Sequence, residues 1–154
     1  MNEKENVELA RKGYQEFIDG DINSILNRNT EDTEWIFPGP SEIVPMAGSY
    51  HGSMQVGQFF SKLAETLEFT SFEPREFIPF GDRVLVIGHD TGKVRATGTS
   101  FEEDWIHMCT YRNGKLARWQ AFVDTGDLVA DLSRAKAHKA NYQELQNPAE
   151  SLLG

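Results

Sequence analysis

The residue types that could form a small-molecule site are concentrated in the stretch from Phe101 to Thr125. There a histidine, a cysteine, a glutamine and several acidic residues stand between tryptophan and phenylalanine rings. Small-molecule pockets have this character, because they are mostly apolar with a few placed polar groups. The residues that we predict to face one pocket are Trp105, His107, Cys109, Gln120, Phe122 and Asp124.

The placement of these residues on one face rests on a predicted hairpin with its turn at Asn113-Gly114. Asn-Gly between two apolar-rich runs favours a two-residue type I′ turn, in which both central residues need a positive φ. Such a turn places His107 opposite Gln120. Since side chains alternate along a strand, the opposite face of the hairpin carries the apolar residues Ile106, Met108, Trp119, Ala121 and Val123.

Asp124 and His107 are the two candidate catalytic residues of the hairpin. Asp124 could be a general acid or base whose pKa is raised by an apolar wall, and the alternative is a cap of the next helix. His107 could donate to a carbonyl or enolate oxygen, and the alternative is a buried histidine bonded to a neighbour. On the predicted register their backbones lie roughly 14 Å apart, which favours one group at each end of a substrate.

Several other residues are candidates for substrate binding. His89 lies on the preceding strand, and the loop at residues 96–99 decides whether it faces the pocket. Cys109 sits in mid-strand and is predicted to pack more than to react. Scattered histidines without a helix-spaced partner predict no metal site, and no cofactor is expected. The aromatic residues predicted to line or to fill the cavity include Trp35, Phe37 and Phe60.

The order of the predicted elements indicates an α+β fold. The predictions in chain order are a helix over 3–19, a second helix capped by Asp21, a strand over 33–37, a loop over 38–52, a third helix capped by Ser53, strands over 69–80 and 83–96, the hairpin, and a helix starting near Asp127. Helices that segregate from an antiparallel sheet suit a curved sheet wrapped around them, with a conical cavity between. One domain over residues 1–136 is expected, followed by a C-terminal extension over 137–154 that is either loose or docks on a neighbour.

The composition narrows the possible partners of the chain. Its 154 residues carry a net charge of -9, which disfavours nucleic acid and anionic membranes as partners. The single cysteine and the polar N-terminus make a cytoplasmic protein the simplest expectation. The predicted partners are an apolar or aromatic small molecule and a second copy of the chain, since the apolar hairpin face would otherwise be exposed.

The chain resembles the SnoaL-like proteins of the NTF2-like superfamily, in the group related to ketosteroid isomerases. The motifs that carry the resemblance are GDINSIL, TEWIFPGP, YHGSMQVGQFF and DWIHMCTYRNGKLARWQAFVDT, in this order over roughly residues 7–132. The resemblance implies the NTF2-like cone. It is less specific for activity, because this fold hosts isomerases, cyclases, dehydratases, hydrolases and silent binders.

Only some of the family's functional residues have a counterpart at the matching position of this sequence. The base of the ketosteroid isomerases matches Phe37, and their helix tyrosine falls at Gly13, with Tyr14 one residue off. Their oxyanion-hole aspartate matches His107, and the acid/base aspartate of the polyketide cyclases matches Asp124. The resemblance therefore implies a cofactor-independent acid/base enzyme of isomerase, cyclase or dehydratase type, acting on a cyclic carbonyl substrate. The alternative is a non-catalytic small-molecule-binding module.

Overall fold

The computed structural model describes residues 2–146, and the side chains of residues 2–137. Its elements are α1 (Glu3–Ile18), α2 (Ile22–Asn27), β1 (Asn29–Phe37), β2 (Gly48–His51), α3 (Gly52–Thr66), β3 (Leu67–Phe80), β4 (Arg83–Val94), β5 (Ser100–Arg112), β6 (Lys115–Val123) and α4 (Gly126–Gln146). Across residues 2–146 no helix has the length and apolar character needed to cross a membrane. The predicted extension begins inside α4, and residues 147–154 lie outside the described part of the chain.

The six strands form one sheet in the order β2-β1-β6-β5-β4-β3. All neighbours are antiparallel except β1 and β6, which are parallel. Helix α1 packs on β3 and β4, and α3 packs on β1, β2 and β3. The predicted α+β cone, a curved sheet around the first helices, is confirmed. The short strand β2 lies in the segment that was predicted to be a loop.

The hairpin turn forms as predicted, but the register beyond it differs. Asn113 and Gly114 have φ values of 52° and 77°, and Arg112 pairs with Lys115. Tyr111 then pairs with Leu116 and Thr110 with Arg118, so one residue of β6 has no partner on β5. That residue is Ala117, and the irregularity is a β-bulge. From the bulge onward His107 faces Ala121, and every pair is shifted by one position.

The shift exchanges the two faces of β6, because a one-residue slip turns each side chain to the other side of the sheet. The predicted inward positions of Gln120, Phe122 and Asp124 are therefore wrong. Phe122 is 50% exposed on the outer face, while Trp119 and Ala121, predicted to point outward, are buried. The backbone at the bulge is satisfied elsewhere, since the Leu116 amide donates to the Arg28 carbonyl at 2.8 Å.

Gly88 of β4 makes room for the ring of Trp105. A Cβ atom at Gly88 would lie 2.2 Å from Cζ2 of Trp105, far inside van der Waals contact. The indole can therefore lie flat across β4, where it stacks on Phe72 of β3 with 5.0 Å between ring centroids. The absence of a side chain at Gly88 thus sets the position of one of the three indole rings in the cavity wall.

Replacing Gly88 by alanine tests this packing. Because Trp105 must move to admit the new methyl group, we expect Gly88→Ala to lower the free energy of unfolding by about 1–3 kcal/mol. Gly13→Ala is the matched control, since nothing lies within 4 Å of its Cβ position and alanine favours a helix interior by roughly 0.5–1 kcal/mol. Urea denaturation of both variants checks the opposite signs, and equal shifts would contradict this description.

Candidate active site

The cone encloses a cavity of about 100 Å³ between α1, α3 and the inner face of the sheet. Most of its wall is aromatic, and the rings touch one another in stacked and edge-on pairs, as in Trp35 against Trp119 at 4.8 Å. Its lining residues with polar or titratable groups are Tyr14, Trp35, Asp90, Glu103, Trp105, His107, Cys109, Tyr111 and Trp119. The cavity is therefore an apolar slot with a few polar groups, of the kind that binds small molecules.

Strand β5 supplies the central column of this wall. Alternation along the strand turns Glu103, Trp105, His107 and Cys109 to the same side, and all four line the cavity. Trp105 and His107 are stacked nearly parallel, with ring centroids 4.0 Å apart. The column leads from Glu103, which is partly exposed, to the fully enclosed Cys109.

His107 forms a hydrogen bond with a tyrosine that the sequence comparison had set aside. The Tyr14 hydroxyl lies 2.7 Å from Nδ1 of His107, although Tyr14 stands one residue from the position where the family tyrosine falls. A sequence signal did exist, since Val7, Ala10, Tyr14 and Phe17 follow the spacing of one helix face. That face is the one that α1 turns towards the core.

Burial holds this pair in its uncharged form. It lowers the pKa of His107 to about 3 and raises the pKa of Tyr14 well above its usual value. Burial also raises the pKa of the Cys109 thiol to about 12, so this cysteine is not a thiolate at neutral pH. When Tyr14 donates to Nδ1, a neutral His107 carries its proton on Nε2, which is then free to donate to a ligand oxygen.

A carboxyl pair forms the acidic part of the cavity. Asp90 of β4 lies opposite Glu103 of β5, and both line the cavity. Burial, and then the neighbouring Glu103 carboxyl, raise the pKa of Asp90 to about 9. Burial also raises the pKa of Glu103. Two carboxyls forced together away from water hold on to a proton at neutral pH, so that the pair can give or take one.

The pair was not found from the sequence, although a signal was present. Along β4 the residues Val84, Val86, Asp90 and Val94 all point to the buried face. An aspartate in such an alternating apolar series is a buried carboxyl, and buried carboxyls mark functional sites. Its partner Glu103 depends on the register between β4 and β5, which the sequence left open.

The remaining predicted site residues divide into two groups. Trp35, Phe37, Phe60, Trp105 and Cys109 lie on the cavity wall, as expected. The other four do not line the cavity and lie towards the outer surface: His89, Gln120, Phe122 and Asp124.

Two of these outer residues have visible structural roles. His89 is hydrogen-bonded at 2.8 Å to both Asp104 and Glu102, so the prediction that it binds substrate in the cavity is wrong. Asp124 accepts from the Gly126 amide at 2.9 Å at the start of α4, which is the capping role weighed as the alternative. Asp124 and His107 therefore do not converge on one volume. The Asp124 charge still reaches Glu103, whose pKa it helps to raise.

The fold and the cavity define a class of protein that comparison with known proteins identifies. Residues 10–119 match the model of the SnoaL-like domain family. The chain therefore belongs to the SnoaL-like family, within the NTF2-like fold.

Solved structures agree with this assignment. An NTF2-like protein from Burkholderia xenovorans LB400 is 34% identical, with a TM-score of 0.74, and the match covers 88% of this chain and 98% of that one. TerC, co-crystallised with polyporic acid, is 30% identical with a TM-score of 0.74, over 84% of this chain and 98% of TerC. A candidate isomerase from Bacillus subtilis shares the fold at 21% identity, with a TM-score of 0.69 over 84% and 92% of the two chains. No curated protein matches the chain in sequence.

The raised pKa of Asp90 predicts a stability effect of fixed sign. Between pH 3.8, which is the ordinary pKa of this carboxyl, and about pH 9 the folded protein keeps a proton on Asp90 that the unfolded chain releases. Stability due to this group therefore falls as pH rises through that window. We expect Asp90→Asn to be more stable than the wild type, by a margin that grows from about pH 4 to about pH 9 and exceeds about 1.4 kcal/mol, the value of one pKa unit.

Denaturant unfolding at several pH values measures this margin. Asp82→Asn, in the exposed turn between β3 and β4, controls for the loss of any one carboxylate from an acidic chain. Burial lowers the pKa of His107, so this residue destabilises the fold as pH falls below the ordinary pKa of histidine. It is present in all three proteins, and its effect therefore cancels in the difference. A margin independent of pH would show that Asp90 is ionised in the folded protein.

Proposed function

We propose that this protein is a cofactor-independent enzyme that moves a proton on a cyclic, carbonyl-containing small molecule bound in the cone. The observation that carries the proposal is a carboxyl pair, buried Asp90 and partly exposed Glu103, on the wall of an aromatic cavity. Raised pKa values let the pair hold a proton at neutral pH, so that it can act as a general acid or base. Proton transfer of this kind needs no cofactor.

The division of roles follows from the positions of the polar groups. The carboxyl pair takes a proton from a carbon next to the substrate carbonyl, or returns one. His107, held by Tyr14, donates from Nε2 to the oxygen on which negative charge develops. His107 lies opposite Val86, four residues along β4 from Asp90. The two groups are therefore anchored roughly 14 Å apart along the sheet, and their side chains reach towards each other to meet a carbonyl oxygen and the carbon next to it.

The aromatic wall indicates the body of the substrate. Stacked and edge-on rings favour a flat or cyclic partner, because aromatic pairs gain beyond the area that they bury. Co-crystallisation of the relative TerC with polyporic acid supports small-molecule binding by this fold. The candidate isomerase among the structural neighbours is consistent with proton-transfer chemistry, although at 21% identity the likeness shows only a shared fold.

The carboxyl assignment can be tested with 1-indanone, a small bicyclic ketone with exchangeable hydrogens next to its carbonyl. In deuterated buffer the protein should accelerate deuterium uptake at that carbon, measured by NMR. Asp90→Asn should lower the catalysed rate by about 10²–10⁴-fold, the usual worth of a general acid or base. Asp124→Asn is the matched control, since it also removes one carboxylate but lies outside the cavity, and it should keep most of the rate.

Two results would decide against this assignment. If Asp124→Asn abolishes exchange while Asp90→Asn does not, the acid/base residue is Asp124. If 1-indanone binds in the cavity and is not exchanged, the second candidate function, a non-catalytic binding module, becomes the better one. The observation that favours that candidate is that Asp124 and His107 do not converge on the cavity.

We also propose a homodimer through the outer face of the sheet, with a different set of residues from the predicted one. Trp119, Ala121 and Val123 belong to the cavity side and cannot contribute. Two neighbouring rows of paired residues instead run across the strands and form an apolar band. The apolar members of this band are Ile36, Ile78, Leu85, Ile87, Ile106, Met108 and Phe122.

Charge on the two sides of the band favours a second copy as its occupant. Arg83 and Arg118 flank the band on one side, where Arg118 forms an ion pair with Glu34, and Asp104 and Asp124 flank it on the other. A two-fold axis along the band brings the basic flank of each copy against the acidic flank of its partner, and the same patch meets itself, as dimer symmetry requires. The expected cytoplasmic location has no bearing on this contact and stays a prediction.

Light scattering tests the dimer. At micromolar concentration the wild type should have twice the mass of 17.4 kDa, and Phe122→Lys should give a folded monomer, because a buried unpaired charge is costly. Met54→Lys is the control, since Met54 is 84% exposed on α3, away from the sheet. A monomeric wild type, or a dimer indifferent to Phe122→Lys, would refute the proposed interface.

A further inference from the structure

Two polar atoms on the cavity wall have no hydrogen-bond partner among the described residues. They are Oδ1 of Asp90 and Nε1 of Trp105, and each of these residues is only 3% exposed. Asp90 donates its retained proton to the Glu103 carboxyl, so its unpartnered Oδ1 is left as an acceptor, whereas the indole N–H of Trp105 is a donor. Buried polar groups are nearly always paired, and each one left unpaired destabilises the fold, so two such atoms in one cavity point to a ligand.

Gly88 brings these two atoms into one small region. The Cβ position of Gly88 lies 2.6 Å from Cε2 of Trp105, the carbon bonded to Nε1. The indole N–H is therefore next to Gly88. Asp90 is two residues further along β4 and on the same face, which puts its backbone about 7 Å from that of Gly88. The indole N–H and the Asp90 carboxyl therefore belong to neighbouring inward positions on the same part of the cavity wall.

The chemistry of the two atoms selects the kind of group. A carbonyl accepts from the indole but gives nothing to Asp90, and an ammonium donates to Asp90 but cannot accept from the indole. A carboxylate only accepts and also meets the repulsion of the carboxyl pair. A hydroxyl accepts and donates through one oxygen, so it satisfies both atoms at once.

We propose that Trp105 and Asp90 form a hydroxyl-binding subsite beside Gly88, so that the substrate is a cyclic ketone that also carries a hydroxyl group. The hydroxyl accepts from the Trp105 indole and donates to Oδ1 of Asp90, while the carbonyl reaches His107. Only the placement of the substrate carbonyl at His107 rests on the proposed function. The two unpartnered atoms define the hydroxyl end by themselves.

The three tryptophans provide a direct readout in ¹⁵N-labelled protein. Trp35 already donates to Oδ1 of Asn29 at 3.3 Å, and Trp119 lies beside the Tyr14 hydroxyl. Trp105 alone has an unpartnered buried indole N–H among the described residues. Its proton resonance should move downfield when a hydroxyl oxygen accepts from it, and Trp105→Phe assigns the resonance by removing it.

A matched set of neutral probes separates the hydroxyl from the rest of the ligand. The set is indane, 1-indanone, 1-indanol and 3-hydroxy-1-indanone, which share one bicyclic skeleton. The two hydroxyl-bearing probes should shift the Trp105 resonance downfield, and the other two should not. Since two hydrogen bonds are gained, 3-hydroxy-1-indanone should bind at least about fivefold more tightly than 1-indanone.

Two variants test each half of the subsite. In Trp105→Phe and in Asp90→Ala the affinity ratio of 3-hydroxy-1-indanone to 1-indanone should fall towards one, whatever either change does to binding of the skeleton. The remaining indole resonances report whether each variant is folded. A ratio unchanged in both folded variants, or a Trp105 resonance that moves equally for all four probes, would overturn the proposal.

The outcome is independent of catalysis. If the protein exchanges deuterium into 1-indanone but gains nothing from the hydroxyl, the subsite is wrong and the proposed function stands. If the hydroxyl shifts the Trp105 resonance but no ketone is exchanged, the subsite stands and belongs to a binding module.

Discussion

The one-residue bulge at Ala117 is the constraint on which the rest of the site depends. Before the bulge, β6 simply continues the Asn113-Gly114 turn. After it, Trp119 and Ala121 face the helices and Gln120 and Phe122 face outward. A bulge leaves a residue unpaired and interrupts the ladder of hydrogen bonds. Here the interruption is stabilised from outside the hairpin, by the Arg28 carbonyl and by the Thr33 hydroxyl, which donates to the Leu116 carbonyl at 3.0 Å.

The parallel neighbour β1 therefore fixes which side of β6 belongs to the cavity. Trp35 of β1 pairs with Trp119 of β6, and their rings stack on the inner side. With Trp119 inside, the aromatic wall closes against α3 through Phe59. Had the register continued without the bulge, Arg118 and Gln120 would have had to enter this wall. Their burial without partners would cost several kcal/mol.

The inner wall shows a second constraint, which is the low polarity of the cavity. Burial keeps both His107 and Tyr14 uncharged, so their hydrogen bond is between neutral groups. The same surroundings force the carboxyl pair to retain a proton. Protonation in this cavity is thus decided by exclusion of water more than by ion pairs, because no described cation is among the causes that shift the pKa of Asp90.

The sequence predicted those features that depend on local pattern. The helix stripes, the Asn-Gly turn and the alternation along β5 placed Trp105, His107 and Cys109 correctly on the cavity side. The sequence did not predict the contacts between segments that are distant along the chain. The Ala117 bulge depends on Arg28 and β1, the pairing of Asp90 with Glu103 depends on the loop before β5, and the place of Tyr14 depends on how α1 rotates over β5. Spacing along the chain indicates that Tyr14 and Asp90 are buried, but it does not indicate which residues of distant segments they meet.

The acidic residues around the cavity also affect how fast different molecules can enter it. Glu103 and the nearby Asp124 lie in a chain whose net charge is -9. Their field extends over about a Debye length, roughly 8 Å at physiological ionic strength. An anionic compound would be slowed before it touches the protein, and added salt would speed its entry, whereas a neutral ring would enter at a rate indifferent to salt. The protein thus sorts molecules by charge at a distance and by shape only on contact.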